Sequence, residues 1–493
     1  TQHRRTNLQA LKLRPLDLAI VAAYLAGITL FGLRFRKKQR SLRDYFLADQ
    51  NIPWPAIALS IVAAETSTLT IISIPGLAYD TNLGFLQLVF GYLIARVLIS
   101  IILIPKYFAG RMMTAYQLME HRFGGRLRSL TAGLFLLTRA AAEGVRVFAI
   151  SIVIGIAIGT TNDIVPIAII TVLTLIYTFE GGMTAVIWTD VVQMAIYVGG
   201  TVVGFITILH LVPGGWPAIH AAAVSAGKFN VFDFSHSLFT TYTFWSGIVG
   251  GTFLTMASHG TDQLMVQRLL AAKNEGDSKK ALIASGFAVL FQFTLFLVVG
   301  VMLYVYYRQF PPATPFSRSD RIFPTFIVEH MPMGISGLLI AAILAAAMSN
   351  LSAALNSLSA STIVDFYGRI RPQASDPERL RISRISTVVW GLVLFALAML
   401  AGHGGRVVET GLSLASIPYG AMLGVFMLGA LTRRANQTGA IIGMLFGFAF
   451  NLYLWHWTRI PFTWYVAFGT VATFLVGYIS SLIISLFGAR NPR

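Results

Sequence analysis

Polar side chains are concentrated in an apolar stretch near the N-terminus, between Ser60 and Thr70. Glu65 lies in the middle of this stretch, with serine and threonine residues on both sides of it. Such groups are costly in a helix that faces lipid, so they are candidates for function. A helix interrupted over residues 65–68 would free backbone carbonyls for a small cation, and its half-helix ends would receive a polar ligand. We therefore predict ion and solute binding at this position.

A second polar group lies in the apolar stretch 334–363. Ser349, Ser352 and Asn356 follow the spacing i, i+3, i+7 and share one face of a helix. Hard oxygen donors of this kind suit sodium better than a transition metal. The alternative is interhelical packing, because serine and alanine let helices approach closely. The residue types alone do not decide between these two interpretations.

Three charged residues, Arg139, Glu143 and Arg146, are spaced by four and three and lie on one helical stripe. They form either a self-contained ion network, which Glu65 would join, or a site in which one guanidinium binds a solute carboxylate through two hydrogen bonds. Asp190 lies at the end of another apolar stretch. Taken alone, Asp190 is better explained as a solvated helix cap than as part of an ion path.

A second interrupted helix is predicted in the stretch 241–262, where Gly247, Gly250 and Gly251 are followed by hydroxyl-bearing residues. His259 in this stretch is interpreted as a hydrogen-bonded packing residue, with a proton carrier as the alternative. The two interrupted spans are five spans apart, so two blocks of five spans insert with opposite orientation. This arrangement is typical of inverted-repeat secondary transporters, whose binding site lies at the midplane of the membrane.

The elements that position these residues are membrane-spanning helices. The 493-residue chain is 56% hydrophobic and 12% charged, whereas a soluble domain is about 25% charged. Apolar runs of about 20 residues, each long enough to cross a bilayer, recur along the sequence. This composition excludes a cytosolic enzyme and a nucleic-acid-binding protein, and the lack of cysteine excludes cysteine-ligated metals. The predicted fold class is an all-α polytopic membrane protein, whose partners are the lipid bilayer and a small-molecule solute.

We predict thirteen transmembrane helices, over residues 16–33, 55–77, 84–105, 128–158, 163–179, 184–211, 241–262, 281–307, 334–363, 383–401, 408–430, 438–456 and 462–487. The chain divides accordingly into five parts. These are an N-terminal extra helix with a basic loop (1–54), a first five-helix repeat (55–211), an external loop (212–240), a second five-helix repeat (241–432) and two C-terminal helices (433–493).

Basic residues distinguish the two sides of the membrane and account for the net charge of +17. Lysine and arginine are concentrated in alternate connecting segments, near residues 34–43, 106–128, 268–280, 369–384 and 433–434. Because cytoplasmic loops are enriched in these residues, the N-terminus is predicted outside and the C-terminus in the cytoplasm. We expect a multi-pass monomer in the plasma (inner) membrane.

Five motifs resemble those of the sodium/solute symporters, the family that includes the sodium–glucose, proline, iodide and sialic acid transporters. The resemblance covers nearly the whole chain, and the motifs occur in the family's order. They are DYFLA at 44–48; GMTAVIWTDVVQ at 182–193; TDQ and VQR at 261–263 and 266–268; FP, GL, AAMS, LNS and DFY between 323 and 367; and LTRRAN at 431–436 followed by GA at 439–440.

This resemblance implies the leucine-transporter-type fold, a 5+5 inverted repeat preceded by one extra helix, with Na⁺ as the coupling ion. The principal sodium site of the family falls here on the carbonyls of Ala63, Thr66 and Ala346 and on the hydroxyl of Ser349. Asn350 stands where the family usually has a second hydroxyl. An amide oxygen also binds sodium, so Asn350 is included in the predicted site.

Some members of the family have a second sodium site, and the resemblance assigns that site or an exit path to Asp190, Ser349 and Ser352. Ala353 replaces the last hydroxyl of this second site. Substrate positions implied for the first core helix include Ser67 and Thr70, which resemble the sialic acid branch. Leu69 replaces a polar residue of the sugar transporters, which weakens a glucose-like interpretation.

We therefore predict a sodium-coupled symporter, not an enzyme, that imports a small polar solute by alternating access. The solute is expected to carry a carboxylate, as a sugar acid, an amino acid or a monocarboxylate does. The predicted substrate site consists of Glu65, Ser67, Thr70, Arg139, Glu143 and Arg146. The alternatives are a proton-coupled transporter that uses Glu65 and a sodium-coupled transporter of a neutral sugar.

Overall fold

The part of the chain that the computed structural model describes, residues 13–34, 42–110, 112–158, 164–312, 315–316, 319–401 and 407–488, folds into helices. Numbered in chain order, the α-helices of these residues are α1 (Pro15–Leu33), α2 (Leu42–Leu47), α3 (Trp54–Glu65), α4 (Thr68–Asp80), α5 (Leu86–Ile102), α6 (Ile104–Ala109), α7 (Gln117–Phe123), α8 (Gly125–Ile158), α9 (Ile164–Leu211), α10 (Gly215–Ser225), α11 (Gly251–Gly260), α12 (Gln263–Leu270), α13 (Glu275–Gln309), α14 (Ile322–His330), α15 (Ile335–Ser361), α16 (Gly368–Ile370), α17 (Asp376–Ala401), α18 (Val407–Leu431), α19 (Gln437–Trp457) and α20 (Tyr465–Gly488).

Several of these helices are long and apolar enough to cross a membrane. Among the described residues, six stretches meet this test, and one bent pair formed by α3 and α4 meets it jointly. The six are Leu86–Ala109, Gly182–Leu211, Glu275–Gln309, Asp376–Leu400, Gln437–Trp457 and Phe462–Leu486. The chain is thus an all-helical, multi-pass membrane protein, and the count of thirteen spans stays a prediction.

The first predicted interruption is present between α3 and α4, whose axes differ by 61°. The Ser67 Oγ accepts a hydrogen bond from the Thr70 N–H at 3.2 Å, and the Thr70 Oγ1 accepts one from the Ser67 N–H, also at 3.2 Å. This reciprocal capping box redirects two amides that would otherwise have continued the helix through the break. The polar residues of the sequence thus end one helix and begin the next.

The second interruption lies at a different position from the one predicted. Helix α11 ends at Gly260 and α12 begins at Gln263, so the break falls at Thr261–Asp262. The Asp262 Oδ1 accepts the Leu264 N–H at 2.9 Å and caps α12. A short polar residue at the N-cap position is what determines this break.

The glycines at 247–251 serve close packing, and the prediction that they interrupt the helix is wrong. A Cβ atom at Gly251 would lie 2.4 Å from the carbonyl oxygen of Leu88 on α5, and one at Gly250 would lie 2.3 Å from that of Thr463. Residues 246–250 form a π-helical turn that continues directly into α11. Only a residue without a Cβ allows two backbones to approach this closely.

The two spans predicted at 163–179 and 184–211 are two helical segments within α9. The junction is a kink at Gly182, whose φ of 53° and ψ of −154° are non-helical. Glycine adopts a positive φ without the steric cost that a Cβ imposes. The predicted boundary between these two spans therefore coincides with the kink that separates the two helical segments.

The interrupted pair α3–α4 lies at the centre of the packed helices. Both halves contact α13 and α15, while α3 also contacts α9 and α12, and α4 also contacts α8. Gly300 on α13 permits the closest of these approaches, because a Cβ there would lie 2.1 Å from the Pro75 carbonyl oxygen of α4. Helices α13 and α15 thus pack against both halves of the interrupted pair.

Candidate functional site

A cavity of about 800 Å³ adjoins the break between α3 and α4. Five of the six predicted substrate residues line it, namely Glu65, Ser67, Thr70, Arg139 and Arg146. Aromatic rings complete the wall, including Phe85 and Phe293, which stack with their centroids 5.2 Å apart. A mostly apolar wall with a few converging polar groups is typical of a small-molecule site.

The cavity extends toward one end of the molecule. Its lining includes Tyr79, Asp80 and Thr81 at the end of α4, and Pro311 and Phe316 beyond the end of α13. The charge distribution of the loops predicts this end to be external. In this topology the cavity is open to the outside.

Glu65 and His259 on α11 form one polar wall of the cavity, and Arg96 on α5 lies behind them. The Glu65 Oε2 lies 2.5 Å from the Arg96 Nη2 and 3.4 Å from the His259 Nε2. Arg96 also donates to the Ser285 Oγ at 3.2 Å and to the Tyr92 carbonyl at 3.2 Å. The predicted participation of Glu65 in the Arg139–Glu143–Arg146 network is therefore wrong, because Arg96 is its partner.

The three charged residues on α8 form a second polar wall. The Glu143 Oε1 accepts hydrogen bonds from the Arg139 Nη2 at 2.8 Å and from the Arg146 Nη1 at 2.6 Å. Glu143 is 1% exposed and lies behind the two arginines, which reach the cavity. Arg146 is 25% exposed, against 7% for Arg139, so Arg146 is the guanidinium that is more accessible to a solute.

Arg139 connects this wall to the second helix break. Its Nη1 lies 3.4 Å from the Asp262 Oδ2, which also accepts a hydrogen bond from the Tyr419 hydroxyl at 2.8 Å. Because Asp262 caps α12, side chains from α8, α12 and α18 meet at one carboxylate. Arg139 is thus held by two carboxylates while it also lines the cavity.

The predicted sodium ligands Ala63 and Thr66 lie where the helical hydrogen bonds end. In an unbroken helix their carbonyls would accept from the N–H groups of residues 67 and 70. Both amides bond instead to side-chain hydroxyls in the capping box. The carbonyl oxygens of Ala63 and Thr66 are thus released from the helix, as a cation site built on a broken helix requires.

Asn350 is brought against this site from α15. Its Nδ2 donates a hydrogen bond to the Thr66 carbonyl at 2.7 Å. The contact places the break and α15 side by side at the predicted sodium site. Asn350 therefore meets a predicted sodium ligand as a hydrogen-bond donor, whereas the prediction has its amide oxygen as a ligand.

The remaining predicted ligands of this site lie on α15 as well. Ala346 lies one turn before Asn350 in this helix and Ser349 directly precedes it, and the side chains of both are outside the described part of the structure. Thr66 is held in place by its Oγ1, which donates to the Val62 carbonyl at 2.8 Å and accepts from the Gln292 Nε2 at 2.6 Å. The complete ligand set stays a prediction.

Asp190 is fully buried, so its interpretation as a solvated cap is wrong. Its Oδ2 lies 2.8 Å from the Arg268 Nη2 and accepts a hydrogen bond from the Ser60 Oγ at 2.5 Å. These contacts join α3, α9 and α12 on the side of the break that is predicted to be cytoplasmic. Ser352 accepts from the Thr178 Oγ1 at 3.0 Å. A second sodium site at Asp190, Ser349 and Ser352 stays a prediction.

Arg96, Asp262 and Arg268 are site residues to which the sequence reasoning gave no role. Each is a charged residue within or beside an apolar stretch, which marks a residue as a functional candidate. Asp262 and Arg268 also fall inside one of the motifs, at 261–268. Their partners Arg139 and Asp190 are distant in sequence, and residue spacing does not predict such pairs.

The chain is similar to known membrane transporters over almost its whole length. A model of the sodium:solute symporter family matches residues 45–447. The sodium/sialic acid symporter NanT of Aliivibrio fischeri is 32% identical over 476 residues, covering 94% of this chain and 93% of that protein. The sodium-coupled monocarboxylate transporter 2 of Bos taurus is 26% identical, covering 87% of this chain and 70% of that protein.

A solved structure supports the same relationship. It is that of a Na⁺-coupled sialic acid symporter in a substrate-bound outward-open state. It matches with a TM-score of 0.87 at 29% sequence identity, covering 95% of this chain and 98% of that one. The arrangement of helices around the break is therefore one that a known transporter shares.

Proposed function

This chain belongs to the sodium:solute symporter family, and we propose that it imports an acidic sugar of the sialic acid type together with sodium. Its fold is the all-helical, leucine-transporter type, and it is a transporter and not an enzyme. The observation that carries the proposal is Arg146, a partly exposed guanidinium in a cavity of about 800 Å³ beside a broken helix.

The cavity supports a sugar acid on three grounds. A guanidinium binds a carboxylate through two parallel hydrogen bonds, and Arg146 is accessible enough to do so. Ser67 and Thr70 present hydroxyls on the same wall, and the rings of Phe85 and Phe293 offer apolar faces to a sugar. The volume lies in the upper part of the range for small-molecule pockets, which favours a sugar acid over a small monocarboxylate.

Sodium binding supports the solute site through the same helix break. In the proposed site the ion takes the released carbonyls of Ala63 and Thr66, the Ala346 carbonyl and the Ser349 hydroxyl. Because Glu65 and Ser67 flank the break and line the cavity, an ion that orders the break also orders the solute site. A ligand shifts a conformational equilibrium by its differential affinity for the two states, so sodium would favour the solute-competent state.

The finer topology is part of the proposal. Thirteen spans, with the N-terminus outside and the C-terminus in the cytoplasm, place the cavity mouth outside the cell. The five parts of the chain, 1–54, 55–211, 212–240, 241–432 and 433–493, then correspond to an extra helix, two repeats joined by an external loop, and two C-terminal helices. We infer a monomer in the inner membrane.

The proposal is tested by uptake into proteoliposomes that contain the purified protein. N-acetylneuraminate, lactate, alanine and glucose are supplied with an inward sodium gradient or with choline in place of sodium. We expect N-acetylneuraminate to accumulate only with sodium. We also expect N-acetylneuraminate and sodium together to stabilise the protein against thermal unfolding.

Three results would contradict parts of the proposal. Uptake of glucose alone would identify a neutral-sugar symporter, and uptake of lactate alone would identify a monocarboxylate carrier. Uptake that follows an inward proton gradient and ignores sodium would establish the proton-coupled alternative, with Glu65 as the carrier to be tested next.

A further inference from the structure

Glu143 is buried between two arginines that both reach the cavity. The single oxygen Oε1 accepts hydrogen bonds from the Arg139 Nη2 at 2.8 Å and the Arg146 Nη1 at 2.6 Å, and the residue is 1% exposed. Glu143 itself does not line the cavity, whereas Arg139 and Arg146 do. A solute therefore meets the two guanidinium groups, and the carboxylate acts on it only through them.

The charges of this cluster cancel. Arg139 and Arg146 carry two positive charges, and Glu143 and Asp262 carry two negative charges within 3.4 Å of them. Elsewhere in the lining, the charge of Glu65 is balanced by Arg96 behind it, and Asp80 lies at the far end of the cavity, at the end of α4. A solute carboxylate bound at Arg146 would thus add an uncompensated negative charge to a partly buried wall, and such a charge is costly.

Sodium supplies a positive charge at the same cavity. The proposed ion site is the break between α3 and α4, and Glu65 and Ser67 at this break line the cavity together with Arg146. One sodium ion would restore neutrality when one carboxylate binds. Solute binding would then depend on sodium for two reasons, the balance of charge in the cavity and the ordering of the break.

We propose that Glu143 is the residue that makes binding of an acidic solute depend on sodium, because its charge cancels that of the arginine pair. The inference rests on the proposed function and deepens it. Without the Glu143 charge, the cluster has a net positive charge. It then binds a carboxylate without sodium and, before any solute enters, disfavours sodium.

A purely structural role for Glu143 predicts a different outcome. If the carboxylate only holds two arginines in place, its replacement by glutamine weakens solute binding equally with and without sodium. Sodium binding in the absence of solute then stays unchanged. The sign of the change in sodium-free binding therefore separates charge compensation from positioning.

The experiment measures binding to purified full-length protein in sodium chloride and in choline chloride. Calorimetry with N-acetylneuraminate gives solute affinity, and the sodium concentration at half-maximal thermal stabilisation gives ion affinity without solute. The variants are Glu143→Gln, Glu143→Asp, Arg139→Gln and the double variant Glu143→Gln/Arg139→Gln. Glu120→Gln is the matched control, because it also removes a carboxylate paired with an arginine, Arg128, away from the cavity.

We expect Glu143→Gln to bind N-acetylneuraminate in choline about tenfold or more tightly than the wild type. A unit charge has an effect of this size over ~10 Å at an effective dielectric constant of ~20. Half-maximal stabilisation by sodium alone should need about tenfold more sodium in this variant. Arg139→Gln should shift the sodium requirement in the opposite direction. Glu143→Asp keeps the charge and should keep solute binding dependent on sodium, and Glu120→Gln should resemble the wild type.

The double variant removes one charge of each sign and should regain the sodium dependence of the wild type. An unchanged sodium requirement in both Glu143→Gln and Arg139→Gln would overturn the inference, as would a double variant that stays sodium-independent. If Glu143→Gln does not fold, a sodium titration of Arg146→Gln without solute decides, because Arg146 is partly exposed and its removal should change stability little. This variant also removes one charge beside Glu143, so an unchanged sodium requirement would overturn the inference. If the wild type binds no N-acetylneuraminate, the proposed substrate is wrong, and the sodium titrations without solute still test Glu143.

Discussion

Arg96 and Glu65 form a buried ion pair at the end of the first half-helix, with the Arg96 Nη2 2.5 Å from the Glu65 Oε2. Arg96 lies on α5 and is 1% exposed, so its charge is compensated almost entirely within the protein. The pair ties the helix break to a neighbouring helix. It also neutralises Glu65 without a proton, which removes the main reason to regard Glu65 as a proton carrier.

The first prediction concerns this pair. We expect Glu65→Gln to lower the free energy of unfolding by up to about 3 kcal/mol, because Arg96 loses its counter-charge but keeps a hydrogen-bond acceptor. Sodium-dependent uptake should persist at a reduced rate. Thermal melting in detergent and uptake at several pH values measure both effects. If uptake by this variant does not depend on sodium and no longer depends on pH, the proton-coupled alternative would be supported.

The two arginines of α8 should differ in what they contribute. Arg146→Ala should weaken binding of the acidic solute by about 1.5–3 kcal/mol, roughly 10- to 150-fold, which is the range for a hydrogen bond to a charged group. Its melting temperature should change little, because Arg146 is partly exposed and its described contact is with Glu143. Calorimetry on the folded variant measures the loss of affinity.

Arg139→Ala is the matched comparison. It leaves two carboxylates, Glu143 and Asp262, short of a buried partner, so we expect a loss of stability of about 3–5 kcal/mol. A variant Arg146→Ala that fails to fold, or one that binds the acidic solute as the wild type does, would show that Arg146 is a packing residue.

Local features of the site could be predicted from the sequence because they depend on neighbouring residues. Ser67 and Thr70 are three positions apart, the spacing of a capping box, and they form one at the predicted break. Arg139, Glu143 and Arg146 share a helical stripe, and their ion pairs follow from that spacing.

Contacts between distant segments could not be predicted in this way. The sequence favours a helix cap at Asp190 because its partner Arg268 is 78 residues away. The glycines at 247–251 predict an interruption at their own position, whereas they serve close packing with α5 and Thr463, and the break lies at Thr261–Asp262. In a single sequence, a mid-span glycine is compatible both with a helix interruption and with close helix packing, and only the tertiary contacts decide between them.

The sodium site yields a direct prediction at Ser349. This hydroxyl is the proposed side-chain ligand of the ion, and the other proposed ligands Ala63, Thr66 and Ala346 are backbone carbonyls. Ser349→Ala should therefore raise the sodium concentration that half-activates uptake by about tenfold or more, since one ligand to a charged species contributes about 1.5–3 kcal/mol. Uptake measured over a range of sodium concentrations tests this. An unchanged sodium activation would remove Ser349 from the site.

Asn350 gives the sharpest test of the site, because it meets the Thr66 carbonyl as a donor at 2.7 Å. A donor on this oxygen competes with sodium for the same lone pairs, whereas a hydroxyl can turn its oxygen toward the ion. We expect Asn350→Ser, which restores the hydroxyl usual in the family, to lower the sodium concentration that half-activates uptake. Asn350→Ala removes the donor without adding an oxygen and serves as the control.

The two variants separate the two roles of the amide. If Asn350 only blocks the carbonyl, serine and alanine should increase sodium affinity to the same extent. If the added hydroxyl coordinates the ion, Asn350→Ser should bind sodium a few-fold more tightly than Asn350→Ala, since a net hydrogen-bond-like contact contributes about 1 kcal/mol. A decrease of sodium affinity in both variants would mean that the amide oxygen of Asn350 is itself a ligand, as the sequence predicts. Thermal stabilisation by sodium in the absence of solute provides this measurement free of any effect on transport rate.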